Sequence, residues 1–157
     1  MSMDKIKSRE VLKEVIDKFR SSKTIVFTNG CFDIIHRGHI EYLIYAKNLG
    51  DILVVGVNTD ESVRRLKGSG RPLNKLEDRM VVLAALEMVD YVVPFNEDTP
   101  YDLISYLRPH VLVKGGDYGL EDVVGRDLVE SYGGRVVIAP LFKGYSTSCL
   151  IRRMKGG

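Results

Sequence analysis

The chain has 157 residues, 45% of them apolar and 28% charged, enough for one domain that buries about two-thirds of its unfolded surface without a metal or disulfide staple. Its 23 basic and 21 acidic side chains leave a formal charge of +2, too balanced for binding nucleic acid by bulk electrostatics. Cys31 and Cys149 have neither metal-ligand spacing nor disulfide density, and no apolar run follows the charged start, so a cytoplasmic protein without signal peptide or membrane span is expected.

Ile6, Val11, Leu12, Val15, Ile16 and Phe19 recur at helical spacing, with Ser8 a candidate N-cap, and predict an amphipathic N-terminal helix over residues 1–20 that packs on a sheet. Thr24 to Phe27 predict the first strand, which Asn29-Gly30 breaks where the chain leaves the sheet edge. His36-Arg37-Gly38-His39 then opens a helix whose apolar face runs through Ile40, Leu43, Ile44 and Ala46 to Gly50, a candidate C′ residue. Ile52 to Val57 is an uninterrupted apolar run, the mark of a strand covered on both faces.

Asn58-Thr59-Asp60 ends that strand and caps a short helix to about Leu66, ahead of a polar loop from Lys67 to Pro72. Asn74-x-x-Glu77 resembles a capping box before Met80, Val81, Leu83, Ala84 and Leu86. A short strand at Tyr91 to Val93 follows. Thr99 is read as an N-cap with Pro100 at N1, and Leu103, Ile104 and Leu107 face inward until Pro109 stops that helix. Val111 to Val113 make a fourth strand, Lys114 to Tyr118 a loop, Glu121 to Tyr132 a helix closed by Gly133-Gly134, and Val136 to Ala139 a fifth strand. A final helix follows Ser146-Thr147.

This alternation predicts an α/β protein: a single Rossmann-like domain over residues 1–157, with its core at 24–154, a five-stranded, mainly parallel sheet and helices on both faces. Right-handed crossovers place the loops after the strands on one edge, where ligands bind. His36 and His39, three apart across Gly38, lie on one face of their helix, beside N-terminal amides without helical partners. That arrangement suits a phosphate. The plainer alternative is that one histidine caps the helix and the other packs.

The same edge collects Asn58, Lys67 and Arg71; Lys114, Gly116 and Asp117; Ser146 and Thr147; and Arg79 from a helix. Around an anion this set is mostly donors and cations. Several members also have structural readings. Asp33 fixes the turn or orients a basic group; Arg79 pairs with Glu77 or Asp78; Asp117 caps a helix, binds sugar hydroxyls or helps place a metal; Ser146 is an ordinary N-cap; Cys31 is a small side chain in the turn. No nucleophile elbow, Walker loop, Gly-x-Gly-x-x-Gly turn or protein metal constellation is present in the sequence. Transfer of a nucleotidyl group to a phosphate monoester needs little else, because the attacking phosphate is already ionised and charge stabilisation carries the reaction. A divalent ion, Mg²⁺, would complete the neutralisation.

Gly30-Cys31-Phe32-Asp33-x-x-His36-x-Gly38-His39, the strand entry Val89 to Val93 and the late Ser146-Thr147 turn resemble the cytidylyltransferase-like nucleotidyltransferase superfamily from Thr24 to about Met154. Within it the chain is most similar to the adenylyltransferase domains of bacterial ADP-heptose synthases. That likeness rests on Arg65-Leu66-Lys67-Gly68 with Arg71-Pro72, on Glu97 to Pro100, on Leu112 to Tyr118 and on Gly144 to Ser148. The resemblance implies ATP plus D-glycero-β-D-manno-heptose 1-phosphate giving ADP-heptose and pyrophosphate, with Mg²⁺, for lipopolysaccharide-type glycans.

Residues and resemblance together assign His36, His39, Lys67 and Lys114 to catalysis. They assign Thr28, Asn29, Gly30, Cys31, Phe32, Gly38, Ser146 and Thr147 to the nucleotide, and Asp33, Asn58, Arg71, Arg79, Gly116 and Asp117 to the acceptor. The sugar-kinase domain often fused ahead of such domains is not in this sequence, so a separate kinase is expected to supply the substrate. The same His-x-Gly-His serves cytidylyltransferases of glycerol phosphate or a related alcohol phosphate, and FMN adenylyltransferases. A non-catalytic nucleotide sensor is a further class, and an aminoacyl-tRNA synthetase core needs domains for which this chain is too short. Base choice is not legible in side chains, and a homodimer is compatible with the size, although no stretch marks an interface.

Overall fold

The apolar runs form β1 (Ile25–Gly30), β2 (Ile52–Asn58), β3 (Tyr91–Phe95), β4 (Val111–Lys114) and β5 (Arg135–Ile138) in a computed structural model that describes residues 2–116, 119–140 and 147–156. Their order is β3-β2-β1-β4-β5 and every pairing is parallel, where a mainly parallel sheet was expected. The helices are α1 (Arg9–Asp17), α2 (Arg37–Lys47), α3 (Asp60–Lys67), α4 (Leu76–Ala84), α5 (Tyr101–Leu107), α6 (Arg126–Ser131) and α7 (Thr147–Met154).

Side chains alternate across the sheet, so β1 sends Ile25 and Phe27 to one face and Val26 to the other. Leu12 and Ile16 of α1, Leu103, Ile104 and Leu107 of α5 and Val129 of α6 pack on the first face. Leu43 and Ala46 of α2 and Leu83 and Ala84 of α4 pack on the second. With both faces covered, β2 is buried at all seven positions, which is why its sequence has no polar alternation.

Several boundaries differ from the sequence reading, each for a local reason. Asn29 and Gly30 remain in β1, paired with Gly56 and Val57, so the strand breaks after them. Ser8 does cap α1, accepting from the Val11 amide, but the helix has only nine residues and leaves Val11 and Phe19 exposed. Residues Ser2–Lys5 form a separate 3-10 turn, and Ile6 then bridges to Val92 at the outer edge of β3, where the Lys7 amide also donates to the Val92 carbonyl at 3.0 Å. β3 extends through Pro94, which an edge strand tolerates.

α5 starts one residue late, at Tyr101, whose amide donates to Thr99 Oγ1. Gly125, at φ 90°, divides the helix expected from Glu121 into a 3-10 turn at Leu120–Asp122 and α6.

Gly50 is not a left-handed helix cap: α2 ends at Lys47, and the glycine is needed for room. A Cβ there would lie 2.6 Å from Val26 Cγ2 and 2.8 Å from the Thr24 carbonyl oxygen. Neither atom belongs to a flexible side-chain end. Gly50→Ala is therefore expected to destabilise the fold by about 1–3 kcal/mol, read as a lower urea midpoint at unchanged far-UV circular dichroism.

The topology turns at β1. This strand pairs with β2 from Ile25↔Ile52 to Gly30↔Val57, but with β4 only at Val26↔Val111 and Phe27↔Leu112. Beyond Phe27 the paired register with β4 ends, and the crevice between the strand ends is the switch point at which open α/β sheets bind ligands.

Candidate active site

The turn leaving β1 carries the first set of candidate residues into this crevice. Phe32 adopts φ 50° and folds its ring back towards Gly30, where a Cβ would come within 3.0 Å of the ring. His36 is the N-cap of α2: its Nδ1 accepts from the Gly38 amide at 3.1 Å, while the His36 amide donates to His39 Nδ1 at 3.2 Å. The two imidazole centroids are 4.0 Å apart, and Phe32 lies 5.4 Å from His39.

Capping and clustering thus occur together, which resolves the two sequence alternatives into one geometry. It also corrects the expectation of open helix amides. The Gly38 amide is taken by His36 Nδ1, and the His39 and Ile40 amides both donate to the His36 carbonyl. Donation to an anion therefore falls to the imidazoles. Because each Nδ1 accepts a hydrogen bond, the neutral rings carry their proton on Nε2.

Burial, with the nearby His36 and Lys67 charges, pushes His39 down to about 4, and burial lowers His36 as well. At neutral pH the pair is uncharged and donates without first losing a proton. Lys67 is exposed at the C-terminus of α3, and its charge acts on both His39 and Cys31. Cys31 is half-buried, with Sγ 3.8 Å from Asn58 Oδ1, and burial raises its thiol pKa; it is a packing group and no nucleophile.

Asp33 sits at the centre of the loop wall. Its side chain has no exposed surface and accepts from Arg71 Nε at 2.8 Å, from the Leu73 amide at 2.8 Å and from the Asn74 amide at 2.8 Å. Burial pushes its pKa up, but the two amides and the guanidinium outweigh it and hold the carboxyl below its ordinary value. Asn74 also donates its side-chain amide to the Asp33 carbonyl, so it is not the cap of α4. Lys75 takes the cap position without a side-chain bond, and Asp60 Oδ1 accepts from the Leu76 amide.

The side chains of four assigned residues are engaged within the protein itself. The Asp33 carboxylate is wholly engaged in latching the loop that holds Arg71. Arg79 is 1% exposed and donates to the carbonyls of Cys31, Asn58 and Asn74 and to Asp60 Oδ1, making it a brace under the site and not a partner of Glu77 or Asp78. Asn58 is buried against Ser62 Oγ. Thr28 is fully buried and bonded to Tyr42 and to the Val113 carbonyl.

Other candidates keep a place at the crevice. Among the described residues Asn29 Oδ1 and Arg71 Nη2 are buried without a hydrogen-bond partner, the condition of groups prepared for a ligand. Gly38 is buried in the first turn of α2, and Lys114 and Gly116 stand at and just past the end of β4. Asp117 and Ser146 lie outside the described residues, and Thr147 is described only as the first residue of α7. The sequence reading missed Asp60 and Tyr42; the helical offset of three from His39 to Tyr42 was the available signal for the latter.

Among the described residues no group of three His, Cys, Asp or Glu side chains could hold a metal ion, and no helix is long and apolar enough to cross a membrane.

A parallel sheet with imidazoles and cations near its switch point defines an α/β protein with a candidate anion-binding crevice. Residues 27–153 match the family model described as cytidylyltransferase-like, and the chain belongs to that family. It is 57% identical over 151 residues to the bifunctional protein HldE of Syntrophotalea carbinolica, across 96% of this chain and 31% of that protein. The corresponding figures for HldE of Geobacter sulfurreducens are 54%, 96% and 31%. The chain thus spans about a third of the length of these curated relatives.

Among solved structures, a lipopolysaccharide core biosynthesis protein from Thermoplasma volcanium matches with TM-score 0.65 at 28% identity, covering 80% of this chain and 100% of that one. Pantoate-beta-alanine ligase from Francisella tularensis, at TM-score 0.63 and 18% identity over 86% of this chain and 66% of its own, shares the fold.

The histidines also tie stability to pH. His110 Nδ1 accepts from the Ile25 amide, and its pKa, like those of His36 and His39, is lowered by burial. In the unfolded chain all three titrate near about 6.5, so the unfolded state binds more protons below that value. Their stabilisation is complete above about pH 6.5 and is lost as pH falls towards the folded values, about 4 for His39. The urea midpoint is expected to drop between pH 7 and pH 5, and His39→Gln to shrink that drop.

Proposed function

We propose that this chain is a sugar-phosphate adenylyltransferase that transfers AMP from ATP to D-glycero-β-D-manno-heptose 1-phosphate in the cytoplasm, releasing pyrophosphate. The observation that carries this reading is the paired, neutral imidazoles of His36 and His39 beside the Lys67 charge at the end of β1. The 51–57% identity to several HldE proteins supports the heptose acceptor.

In this mechanism an acceptor phosphate oxygen attacks the α-phosphorus, the bond from that phosphorus to the bridging oxygen breaks, and pyrophosphate leaves with the bond's electron pair. No strong base is needed. His39 Nε2–H donates to the oxygens on which charge accumulates, and Lys67 adds a positive charge without a proton transfer. Arg71, held at Nε by Asp33, presents its unpartnered Nη2 to an acceptor or leaving phosphate. Lys114 and the Ser146-Thr147 turn are assigned to the same triphosphate through the family motif.

Mg²⁺ supplies charge neutralisation on the triphosphate when it is present. The described residues do not form a resident site for it, since the nearby Asp33 carboxylate is occupied by Arg71 and two amides. In this reading the ion arrives bound to ATP, and none of the protein steps above passes through it.

A pyrophosphate-release assay with Mg²⁺, crossing ATP and CTP against heptose 1-phosphate, glycerol 3-phosphate and FMN, tests the assignment. ATP with heptose 1-phosphate is expected to dominate; release at background for that pair, or faster release with CTP, rejects it. His39→Ala is expected to lower kcat by about 10²–10³-fold at preserved melting temperature, and an effect below about threefold removes its assigned role.

A further inference from the structure

A polar connection crosses the β1–β4 crevice within the buried core. Beyond the last paired residues, Phe27↔Leu112, the next carbonyl on β4, that of Val113, accepts from Thr28 Oγ1 at 3.1 Å and from Tyr42 OH at 3.1 Å. The two hydroxyl oxygens are 2.7 Å from each other. Thr28 is fully buried, and Tyr42 packs partly buried against the core cluster that contains Val113.

Each hydroxyl has a single proton, so two of the three short contacts are hydrogen bonds at any one time, and the two protons are shared within a triangle whose third corner is a strand carbonyl. Its corners belong to three elements that carry site groups. Thr28 precedes Asn29 on β1. Tyr42 lies one helical turn after His39 on α2. Val113 immediately precedes Lys114 on β4. Where the β1–β4 register stops, the hydroxyl triangle adds a polar tie between α2 and β4 to the apolar packing of Leu43 and Ala46 with Val113.

We propose that Tyr42, seconded by Thr28, is a positioning residue that sets the width of the phosphate crevice by clamping the His39 helix to the strand end that bears Lys114. Phenylalanine would fill the same space but leave the Val113 carbonyl with one fewer donor and α2 free to shift by tenths of an ångström. A shift of that size misaligns groups that must meet one triphosphate together. This inference rests on the adenylyltransferase reading for its kinetic consequence, though not for its binding consequence.

Calorimetric titration with inorganic tripolyphosphate reads the crevice without turnover, and the pyrophosphate-release assay reads it with turnover. Tyr42→Phe is expected to weaken tripolyphosphate binding by about 3–10-fold and to lower kcat by about 10-fold, with KM for the sugar phosphate and the melting temperature near those of the parent. Thr28→Val should act in the same direction, and Thr28→Ser should recover most of the loss.

Because Tyr42 acts through α2, His39→Ala should cost less in the Y42F background than in the parent chain. Parent-like tripolyphosphate binding by Y42F, or losses that simply add to those of His39→Ala, would falsify the clamp. A parent chain that binds tripolyphosphate with this coupling but releases no pyrophosphate upholds the clamp and overturns the adenylyltransferase. A parent chain that does neither overturns both.

Discussion

The buried guanidinium of Arg79 is the contact on which the site depends. It donates to the carbonyls of Cys31, the first residue past β1, and Asn58, the last of β2, and to the carbonyl of Asn74 and the carboxylate of Asp60. Loop carbonyls at the end of a parallel sheet have no neighbouring strand to satisfy them, and burying them unpaired costs about 1–3 kcal/mol each. One planar cation with several fixed donors gathers them, and lysine, with a single rotating ammonium, could not span the same acceptors. The turn that presents the histidines is therefore built on a charge sealed away from the ligand it helps to place.

Above that brace, Asp33 performs the complementary task. Its carboxylate collects two amides and the Arg71 guanidinium, so the loop after α3 is pinned to the loop after β1. Positive charge is thereby held near the crevice without being neutralised at every donor, since Arg71 Nη2 has no hydrogen-bond partner among the described residues. The histidines follow the same economy: Nδ1 closes the helix cap and Nε2–H remains the donor.

The strands and the position of the histidine pair were legible because they depend on short-range pattern. Ile52 to Val57 has no polar interruption, and a His-x-Gly-His after a strand has few structural uses. The roles of Asp33, Asn74 and Arg79 were not legible, because their partners lie far along the chain: Asn74 looks like a cap until Asp33, 41 residues away, is seen to hold it. Arg79 was weighed against its neighbours Glu77 and Asp78, whereas its acceptors are the more distant Asp60 carboxylate and three carbonyls, which every residue carries and no composition reveals. Gly50 was misread for a related reason: the sequence marks the glycine, but not that Val26 and the Thr24 carbonyl occupy the space a side chain would need.

The outer side of β3 has a consequence beyond the site. A parallel sheet ends in a row of unused donors and acceptors that can recruit a strand from another molecule. Here the chain covers its own margin: Ile6 and Lys7 lie along Val92, and Pro94 brings no amide hydrogen to the row. Strand addition from another molecule along β3 is thus obstructed at Val92 by the segment that precedes α1.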